Sequence, residues 1–383
     1  MARIINRMDK VLLILTFIMF VFGLFMILDA SSMKSFMEYG TNTKYFSKQL
    51  VILIISLVTF IFIVSFPTKS YKKIILPLTL TIILLLIYLL INGEITSGAK
   101  SWIYISSFGI QPSEFAKVAL IIFMGVYYRA NVKYLNNIVA ALIPVGVGAI
   151  YTILTLLQPD GGTGLILFFL TVMLFFVSPV PKMIKLKTTL FSSIFIIIVV
   201  LALLIFGVGI LTKSQLSRFT FQKPCTRYQE STGYQVCNGY IAINNGNLFS
   251  ISPGNSQQKY LYLPEAFTDF IFPIIVEEFG LITGIVLILI YMIIIYRCLS
   301  LARKSVNIAN AMICYGVACY IFLHIAINLV GVLGLLPLTG VPLPFLSYGG
   351  SFALTLSIAL AIVQRISIEN YNYMQKKVLG NGE

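Results

Sequence analysis

The sequence predicts an all-α polytopic membrane protein with about ten transmembrane helices. Of its 383 residues, 58% are hydrophobic and only 10% are charged. Its apolar runs repeatedly reach the roughly 17 to 25 residues that cross a bilayer as a helix, which excludes a soluble globular domain. The predicted spans are 11–28, 48–66, 74–91, 113–128, 138–157, 163–179, 189–211, 267–296, 308–330 and 350–366.

The basic residues predict the orientation of these spans, because lysine and arginine are enriched in short cytoplasmic loops. With both termini cytoplasmic, seventeen of the 27 bases but only three of the 13 acids fall on the inner side. This arrangement accounts for the whole net charge of +14. The charge therefore indicates topology and anionic lipid rather than a nucleic-acid partner. We interpret the first apolar run as a span rather than a signal peptide, since nine further spans follow it.

The segment after the third span is rich in glycine and serine and holds the only tryptophan, Trp102. This side chain suits an anchor at the membrane interface or a platform for a substrate. We expect Ser113 to cap the fourth helix. Glu114 and Lys117 lie three residues apart on one helix face, so they form a local ion pair, or the lysine faces an anionic substrate.

A second polar segment, Gln158-Pro-Asp-Gly-Gly-Thr-Gly164, breaks the chain between the fifth and sixth spans. Freed backbone groups at membrane depth are tolerated only beside protein or a water-filled cavity. Asp160 can cap the sixth helix or bind a cation. Capping is the commoner role for an aspartate in this position.

The largest predicted extracellular loop, residues 212–264, joins the seventh and eighth spans. Its mixed aromatic and amide content favours an ordered loop. Cys225 and Cys237 are expected to pair, because disulfides persist outside the cytoplasm. The other three cysteines are expected to be unpaired apolar side chains.

This loop leads into a stretch, residues 259–280, that holds four of the 13 acids. Acids at the edge of a membrane usually face a cavity or a partner, since exposure to hydrocarbon is costly. Glu265 and Asp269 lie at the predicted mouth of the eighth span. Glu277 and Glu278 lie two to three turns deeper and are expected to be structural.

The ninth span carries the only histidine, His324, four residues before Asn328 and therefore on the same face. A histidine satisfied by a neighbour on its own helix is favoured over a catalytic one. The following run, residues 334–351, contains three prolines and several glycines, so it cannot form a regular helix. We expect it to fold back over the opening of a cavity.

Several of these segments together resemble the SEDS family (shape, elongation, division and sporulation; FtsW/RodA/SpoVE-like proteins). They occur in family order, and the resemblance implies a single membrane domain over residues 1–383. The matching segments are Gly98-Ala-Lys-Ser-Trp102, Gln111-Pro-Ser-Glu114, Gln158-Pro-Asp160, Gly254-Asn-Ser-Gln-Gln-Lys259, Pro264-Glu265, Thr268-Asp-Phe-Ile-Phe272, Glu277-Glu278, Gly334-Leu-Leu-Pro337 and Ser347-Tyr-Gly-Gly-Ser351.

The resemblance implies a peptidoglycan glycosyltransferase that polymerises lipid II at the outer face of a bacterial cytoplasmic membrane. It also implies a class B penicillin-binding protein and other division or elongation proteins as partners, with a role in division, elongation or sporulation. A flippase or transporter of a lipid-linked precursor is the main alternative, because broken helices and a polar cavity also suit transport. A non-catalytic scaffold for a penicillin-binding protein is a third hypothesis. The acids cluster at the outer end, which favours the enzyme.

The essential aspartate of the family corresponds to Asp269. The resemblance implies that Asp269 is a general base or a metal-positioning carboxylate. Glu265 is the second predicted catalytic residue, and a divalent cation, Mg²⁺ or Mn²⁺, is the expected cofactor. The predicted substrate-binding or supporting residues are Glu114, Lys117, Lys100, Trp102, Asp160, Ser347 and Gly349. The predicted structural residues are Glu277, Glu278, Asn328, Cys225 and Cys237.

Three positions depart from the family pattern. Phe267 stands where a histidine is usual, two residues before Asp269. The usual glycine-rich loop is thinned at residues 247–253. Pro273 replaces a small residue and is expected to kink the eighth helix one turn beyond Asp269.

Overall fold

The structure is a computed structural model that describes residues 5–96, 99–105, 108–191, 223–250 and 252–380. The helices of the bundle are α1 (Lys10–Tyr39), α2 (Lys44–Ser65), α3 (Tyr71–Asn92), α4 (Pro112–Ala130), α5 (Ile138–Leu157), α6 (Gly161–Val177), α8 (Ile271–Lys304), α9 (Ile308–Val332) and α10 (Gly350–Gly380). Helix α7 (Ser231–Gly246) lies in the loop before α8. The strands are β1 (Glu94–Thr96), β2 (Ala99–Ile105) and β3 (Phe108–Ile110).

The helices correspond to the predicted spans, so the predicted fold class is confirmed. Seven of the described helices are long and apolar enough to cross a membrane: α1, α2, α3, α5, α8, α9 and α10. Helix α6 is apolar but has 17 residues, and α4 carries three charged side chains. The predicted seventh span, 189–211, lies outside the described residues beyond residue 191, as does the first part of the predicted loop, 212–222.

The helices differ in how much of their surface is covered. Helices α4, α9 and α10 lie in the centre of the bundle, and most of their side chains are buried. Helix α2 instead exposes apolar side chains along most of its length. An apolar helix that is exposed in this way requires lipid around it.

The start of α1 and the second half of α10 share one end of the bundle. Arg297, near the end of α8, forms a bidentate ion pair with Asp9. The side chain of Gln364 on α10 bonds both backbone groups of Asp9, and Arg7 donates to Asn372 at 2.9 Å. The beginning of α8 therefore lies at the opposite end.

Helix α8 begins at Ile271, four residues later than predicted, which leaves Asp269 in the preceding turn. The helix is broken at Gly280, where φ is 82° and ψ is 164°. Pro273 lies in the first turn, where a missing backbone N–H costs nothing. The predicted kink at Pro273 is therefore wrong, and the break falls at the glycine that can adopt a positive φ.

The end of α7 fills the break in α8. The backbone N–H groups of Leu281 and Ile282 donate to the carbonyls of Asn247 and Leu248, at 3.0 and 3.4 Å. A Cβ at Gly280 would lie 2.5 Å from the Leu248 carbonyl oxygen, so only glycine fits there. The loop supplies the partners that the helix itself lacks.

The outer loop, defined here as its described residues between 223 and 264, is ordered, as predicted. The expected pairing of Cys225 with Cys237 is present. Lys259 Nζ lies 2.7 Å from Asp29 Oδ1 on α1 and 2.8 Å from Glu278 Oε1 on α8. The loop is thus tied to two helices at its base.

Glu277 holds the same loop at two further points. Its carboxylate accepts from Asn245 Nδ2 at 2.9 Å and from the Ser256 hydroxyl. Both Glu277 and Glu278 are completely buried. These acids hold the loop on α8 and do not line the cavity described below.

A small antiparallel sheet, in the order β1-β2-β3, joins α3 to α4. This sheet was not predicted from the sequence, because short strands separated by glycine and serine resemble a loop. The Lys100 N–H on β2 donates to the Gln158 carbonyl at 3.0 Å. This bond places the sheet beside the break between α5 and α6.

Candidate functional site

A cavity of about 500 Å³ lies at the end of the bundle where α8 begins. Its walls come from β2, α4, the α5–α6 connection, α7, the turn before α8, α9 and the irregular run after α9. We call residues 338–349 of that run the covering segment; its two ends line the cavity, as predicted. The sequence-predicted residues that line the cavity are Asp269, Glu265, Glu114, Trp102, Asp160 and Gly349.

The two predicted catalytic acids meet in the turn before α8. Thr268 Oγ1 lies 2.7 Å from Glu265 Oε2 and 3.2 Å from Asp269 Oδ1, so the two carboxylates are within about 6 Å of each other. A Cβ at Gly340 of the covering segment would lie 4.0 Å from Asp269 Oδ2. Asp269 is therefore half-buried between Glu265 and the covering segment.

This environment changes the acidity of Asp269. Burial raises the pKa of Asp269 to about 7, and the negative charge of Glu265 contributes in the same direction. Both effects disfavour the ionised carboxylate. A carboxylate with a pKa near neutral can accept a proton efficiently at physiological pH.

Asn328 fixes the backbone around Asp269. Its Nδ2 donates to the carbonyls of Asp269 and Val341, each at 2.8 Å. One amide thus joins α9, the turn before α8 and the covering segment. Asn328 positions Asp269 without lining the cavity.

Lys117 lies behind the cavity wall in a second cluster. Its Nζ is 2.7 Å from Glu114 Oε1 and 2.9 Å from His324 Nε2. It also lies over the rings of Tyr320 and Phe352 at 5.5 and 5.8 Å. The local ion pair expected for Glu114 and Lys117 is present. Lys117 is completely buried and does not line the cavity, whereas its polar partners Glu114 and His324 do.

His324 links Lys117 to the covering segment. Its Nδ1 lies 3.2 Å from the Pro342 carbonyl oxygen, and its ring stacks on Phe352 at 4.4 Å. If Nδ1–H donates to this carbonyl, Nε2 carries the lone pair that accepts from Lys117. His324 is therefore buried, with polar partners from α4 and the covering segment rather than from its own helix.

Asp160 caps α6, as predicted, because its Oδ1 accepts from the Thr163 N–H at 3.1 Å. Its Oδ2 also accepts from Gln111 Nε2 at 2.9 Å. The predicted capping role of Ser113 is wrong. Helix α4 begins at Pro112, which suits a first helical position, and Ser113 lies buried within the first turn.

Besides Lys117, two further predicted substrate-binding or supporting residues, Lys100 and Ser347, do not line the cavity. Lys100 contributes the backbone bond to Gln158 described above. Ser347 is buried, and its hydroxyl accepts from the Leu343 N–H at 2.8 Å, which holds a turn of the covering segment. Gly349 does line the cavity, and its N–H donates to Gln49 Oε1 at 3.3 Å.

Phe267 packs in an aromatic cluster instead of supplying a hydrogen bond to Asp269. Its ring lies 4.7 Å from that of Tyr45 and 5.6 Å from that of Tyr348. Lys34 Nζ lies 5.3 Å from the centre of the same ring and 3.9 Å from Glu265 Oε1. Sequence reasoning missed Lys34, because α1 is distant from Glu265 along the chain.

The residues around Asp269 fit a divalent cation of the magnesium type. Within the described part of the chain, no group of three or more His, Cys, Asp or Glu side chains could hold a metal ion. Mg²⁺ is, however, commonly held by one or two carboxylates together with phosphate oxygens of a substrate. Asp269 and Glu265 supply such a pair of carboxylates.

The fold and the site define a polytopic helical membrane protein with an acidic, partly covered cavity at one end of its bundle. The model of the family described as "Cell cycle protein", which represents FtsW, RodA and SpoVE, matches residues 9–372. The chain belongs to this family.

Curated relatives match along nearly their whole length. The probable peptidoglycan glycosyltransferase FtsW of Bacillus subtilis (strain 168) is 32% identical over 361 residues, covering 93% of this chain and 90% of that protein. Stage V sporulation protein E of the same organism is 28% identical over 363 residues, covering 94% and 96%.

Solved structures share the fold. A chain from a peptidoglycan synthase complex that coordinates polymerization and crosslinking superposes with a TM-score of 0.73 at 22% identity. The rod shape determining protein RodA of Thermus thermophilus superposes with a TM-score of 0.65 at 23% identity. Each covers 95% of this chain and 98% of the other chain.

Proposed function

We propose that this chain is a peptidoglycan glycosyltransferase that polymerises lipid II into glycan strands at the outer face of a bacterial cytoplasmic membrane. One observation carries the proposal: Asp269 lies beside Glu265 in a partly covered cavity. The cavity is at the end of the bundle opposite to the basic termini. The positive-inside rule assigns that end to the outer face.

In the proposed reaction, an acceptor sugar hydroxyl attacks C1 of a sugar attached to undecaprenyl diphosphate. The new bond joins the acceptor oxygen to C1, and the bond from C1 to the diphosphate oxygen breaks. Asp269 takes the proton of the attacking hydroxyl, and undecaprenyl diphosphate leaves. The carboxylate must be ionised for this step.

The departing diphosphate requires compensation for its charge. Lys34 lies at the mouth of the site beside Glu265 and is partly exposed, so its ammonium group can approach the substrate. In the alternative role of Asp269, that of a metal-positioning carboxylate, Asp269 and Glu265 would hold a divalent cation, Mg²⁺ or Mn²⁺, which would neutralise the charge of the diphosphate. Glu114 and His324 line another part of the cavity, and the buried Lys117 lies behind them.

Partners and topology complete the proposal. A class B penicillin-binding protein and further proteins of the division or elongation machinery are proposed partners. The fold shared with a chain of a peptidoglycan synthase complex supports assembly of this kind. Both termini are proposed to be cytoplasmic, as their shared end of the bundle and the distribution of basic residues favour.

A flippase is less well supported, because alternating access requires functional groups that both sides of the membrane can reach. Below the cavity, Lys117 and the centre of α9 and α10 are closely packed. A scaffold does not require a cavity lined by two neighbouring carboxylates.

The deciding experiment incubates the purified protein and its partner penicillin-binding protein with lipid II and a divalent cation. Wild type should produce glycan strands, and Asp269→Asn and Asp269→Ala should not. Glu230→Gln is the matched control, since this exposed acid of the outer loop does not line the cavity. Strands of equal amount from Asp269→Ala, or none from wild type, would refute the proposal. Movement of lipid II across liposomes without polymerisation would instead support the flippase.

A further inference from the structure

A second cavity, of about 440 Å³, lies within the outer loop. This volume falls within the range of roughly 300–1,000 Å³ that is typical of small-molecule sites. Its lining contains three tyrosines, three carboxamides and one isoleucine, and no charged side chain among the described residues. The residues used below are Tyr228, Tyr260, Tyr262, Asn238, Gln257 and Gln258.

The three tyrosines that line this cavity are partly exposed. Tyr228, Tyr260 and Tyr262 are 43%, 51% and 54% exposed. Leu261, between the last two, has a φ of 68°, a left-handed conformation that is strained for leucine. The loop therefore keeps two neighbouring tyrosines accessible in spite of backbone strain.

One carboxamide in the cavity lacks a hydrogen-bond partner. Gln258 is only 6% exposed, and its Oε1 is buried without a partner among the described residues. Asn238 differs, because it accepts from the Tyr228 hydroxyl at 3.3 Å and donates to the Tyr262 carbonyl at 3.1 Å. A buried polar group without a partner is costly, and a ligand with hydroxyl or amide groups would satisfy it.

The cavity is also held in a fixed shape. The disulfide between Cys225 and Cys237 closes the chain on either side of Tyr228. Lys259, which separates Gln258 from Tyr260, is anchored to α1 and α8 by the ion pairs described above. A preformed site loses less conformational entropy when it binds a ligand.

We infer that this cavity is a saccharide-binding site. The C–H faces of a pyranose pack against aromatic rings, and its hydroxyl and N-acetyl groups bond to carboxamides. Helix α7 contributes Thr232 and Gln235 to the acidic cavity, and Asn238 and Ile241 to this one. The two cavities thus lie along one helix, and the residues it gives to them are about 5–14 Å apart along its axis.

The identity of the saccharide rests on the proposed function. If the chain polymerises lipid II, the ligand is the growing strand of β-1,4-linked N-acetylated sugars, held beside the acidic cavity between additions. The presence of a saccharide site does not itself depend on polymerisation, because the tyrosines and carboxamides are built into the loop.

Binding is tested without lipid II, on the purified full chain in lipid nanodiscs. The probe is the soluble β-1,4-linked tetramer of N-acetylglucosamine. The only native tryptophan, Trp102, lies in the acidic cavity, so a Trp102→Phe/Tyr260→Trp variant reports the second cavity by its fluorescence. We expect a saturable change with the tetramer, and competition by uncross-linked glycan strands but not by a mannose polymer.

In the same background, Gln258→Leu and Tyr262→Ala should each weaken binding about tenfold, the equivalent of one good contact. Tyr134→Ala, a change at an exposed tyrosine of the opposite end, should leave the affinity unchanged. Thermal unfolding and the state of the disulfide monitor folding. If Gln258→Leu is unfolded, the affinity of Tyr262→Ala for the tetramer tests the inference, because Tyr262 is exposed and its replacement should not disturb folding.

The inference is overturned if the tetramer does not bind, or if both variants bind it as tightly as their parent. It is also overturned if the two variants lose only their binding to the penicillin-binding protein, because the cavity would then be a docking surface. A chain that binds the tetramer but makes no strands would refute the proposed function and retain the saccharide site. A chain that makes glycan strands but does not bind the tetramer would support the proposed function and refute the saccharide site.

Discussion

Replacing Glu265 by glutamine removes a negative charge that lies within about 6 Å of Asp269. The Glu265 side chain is 43% exposed, so water screens this interaction. With an effective dielectric constant between about 40 and 80, the Coulomb energy is about 0.7–1.4 kcal/mol. Loss of this repulsion in Glu265→Gln should therefore lower the pKa of Asp269 by about 0.5 to 1.

The direction of the effect follows from the role of the carboxylate. A general base works when ionised, so the rate should rise with pH through about 7, the pKa of Asp269, and then level off. In Glu265→Gln the midpoint should move down to about 6 to 6.5. At pH 6 the ionised fraction then rises from about one tenth to between one quarter and one half. The rate at pH 6, relative to the plateau, should increase roughly threefold to fivefold.

The measurement is single-turnover transfer from lipid II across pH 5.5–8.5, with each variant normalised to its own plateau. This normalisation separates the pKa of Asp269 from any direct loss of rate caused by Glu265→Gln. Glu230→Gln should keep the midpoint of wild type. An unchanged or raised midpoint in Glu265→Gln, or a rate that falls as pH rises through 7, would refute the reasoning. A midpoint that moves with cation concentration would assign Asp269 to metal binding instead.

Three further predictions test the architecture of the site. Lys117→Met should lower the free energy of unfolding, measured with denaturant, by roughly 3–5 kcal/mol, because it leaves the Glu114 carboxylate buried without a counter-charge. The double variant Lys117→Met/Glu114→Gln should recover part of this loss. If the losses of the two single variants simply add in the double variant, this account is wrong. His324→Gln should keep most of the glycosyltransferase activity, since a carboxamide can bond both Lys117 and the Pro342 carbonyl. His324→Leu should lower that activity about tenfold or more. Equal activities of the two variants would contradict a positioning role for His324. Gly280→Ala should lower the melting temperature far more than Gly146→Ala, where a Cβ meets no atom within 4 Å, and similar melting temperatures would contradict the packing argument.

The membrane helices could be predicted from sequence because a bilayer imposes a minimum apolar length on every span. The acids of the site could be predicted for a related reason, since Glu265, Asp269 and Glu114 occur where charge is costly. The order of the polar segments along the chain also predicts that these acids lie at the same end of the bundle, where they line one cavity. These features depend on local composition, which a single sequence displays.

The remaining features depend on contacts between distant segments. Nothing near Lys117 in sequence indicates that it is shared between Glu114 and His324, and nothing near Glu265 indicates Lys34. The break in α8 was expected at a proline, but the proline lies in the first turn, where the helix tolerates it. Gly280 adopts its strained conformation only because α7 ends against it, and that packing is not visible in the local pattern.

The break at Gly280 gives α8 two parts with different mechanical attachments. The first part, residues 271–279, follows Asp269 directly and is bonded to the outer loop through Glu277 and Glu278. The second part belongs to the membrane bundle. The outer loop, the first part of α8 and the turn that holds Asp269 are thus joined by direct contacts. A force applied to the loop would reach Asp269 through residues 271–279 without passing through the second part of α8.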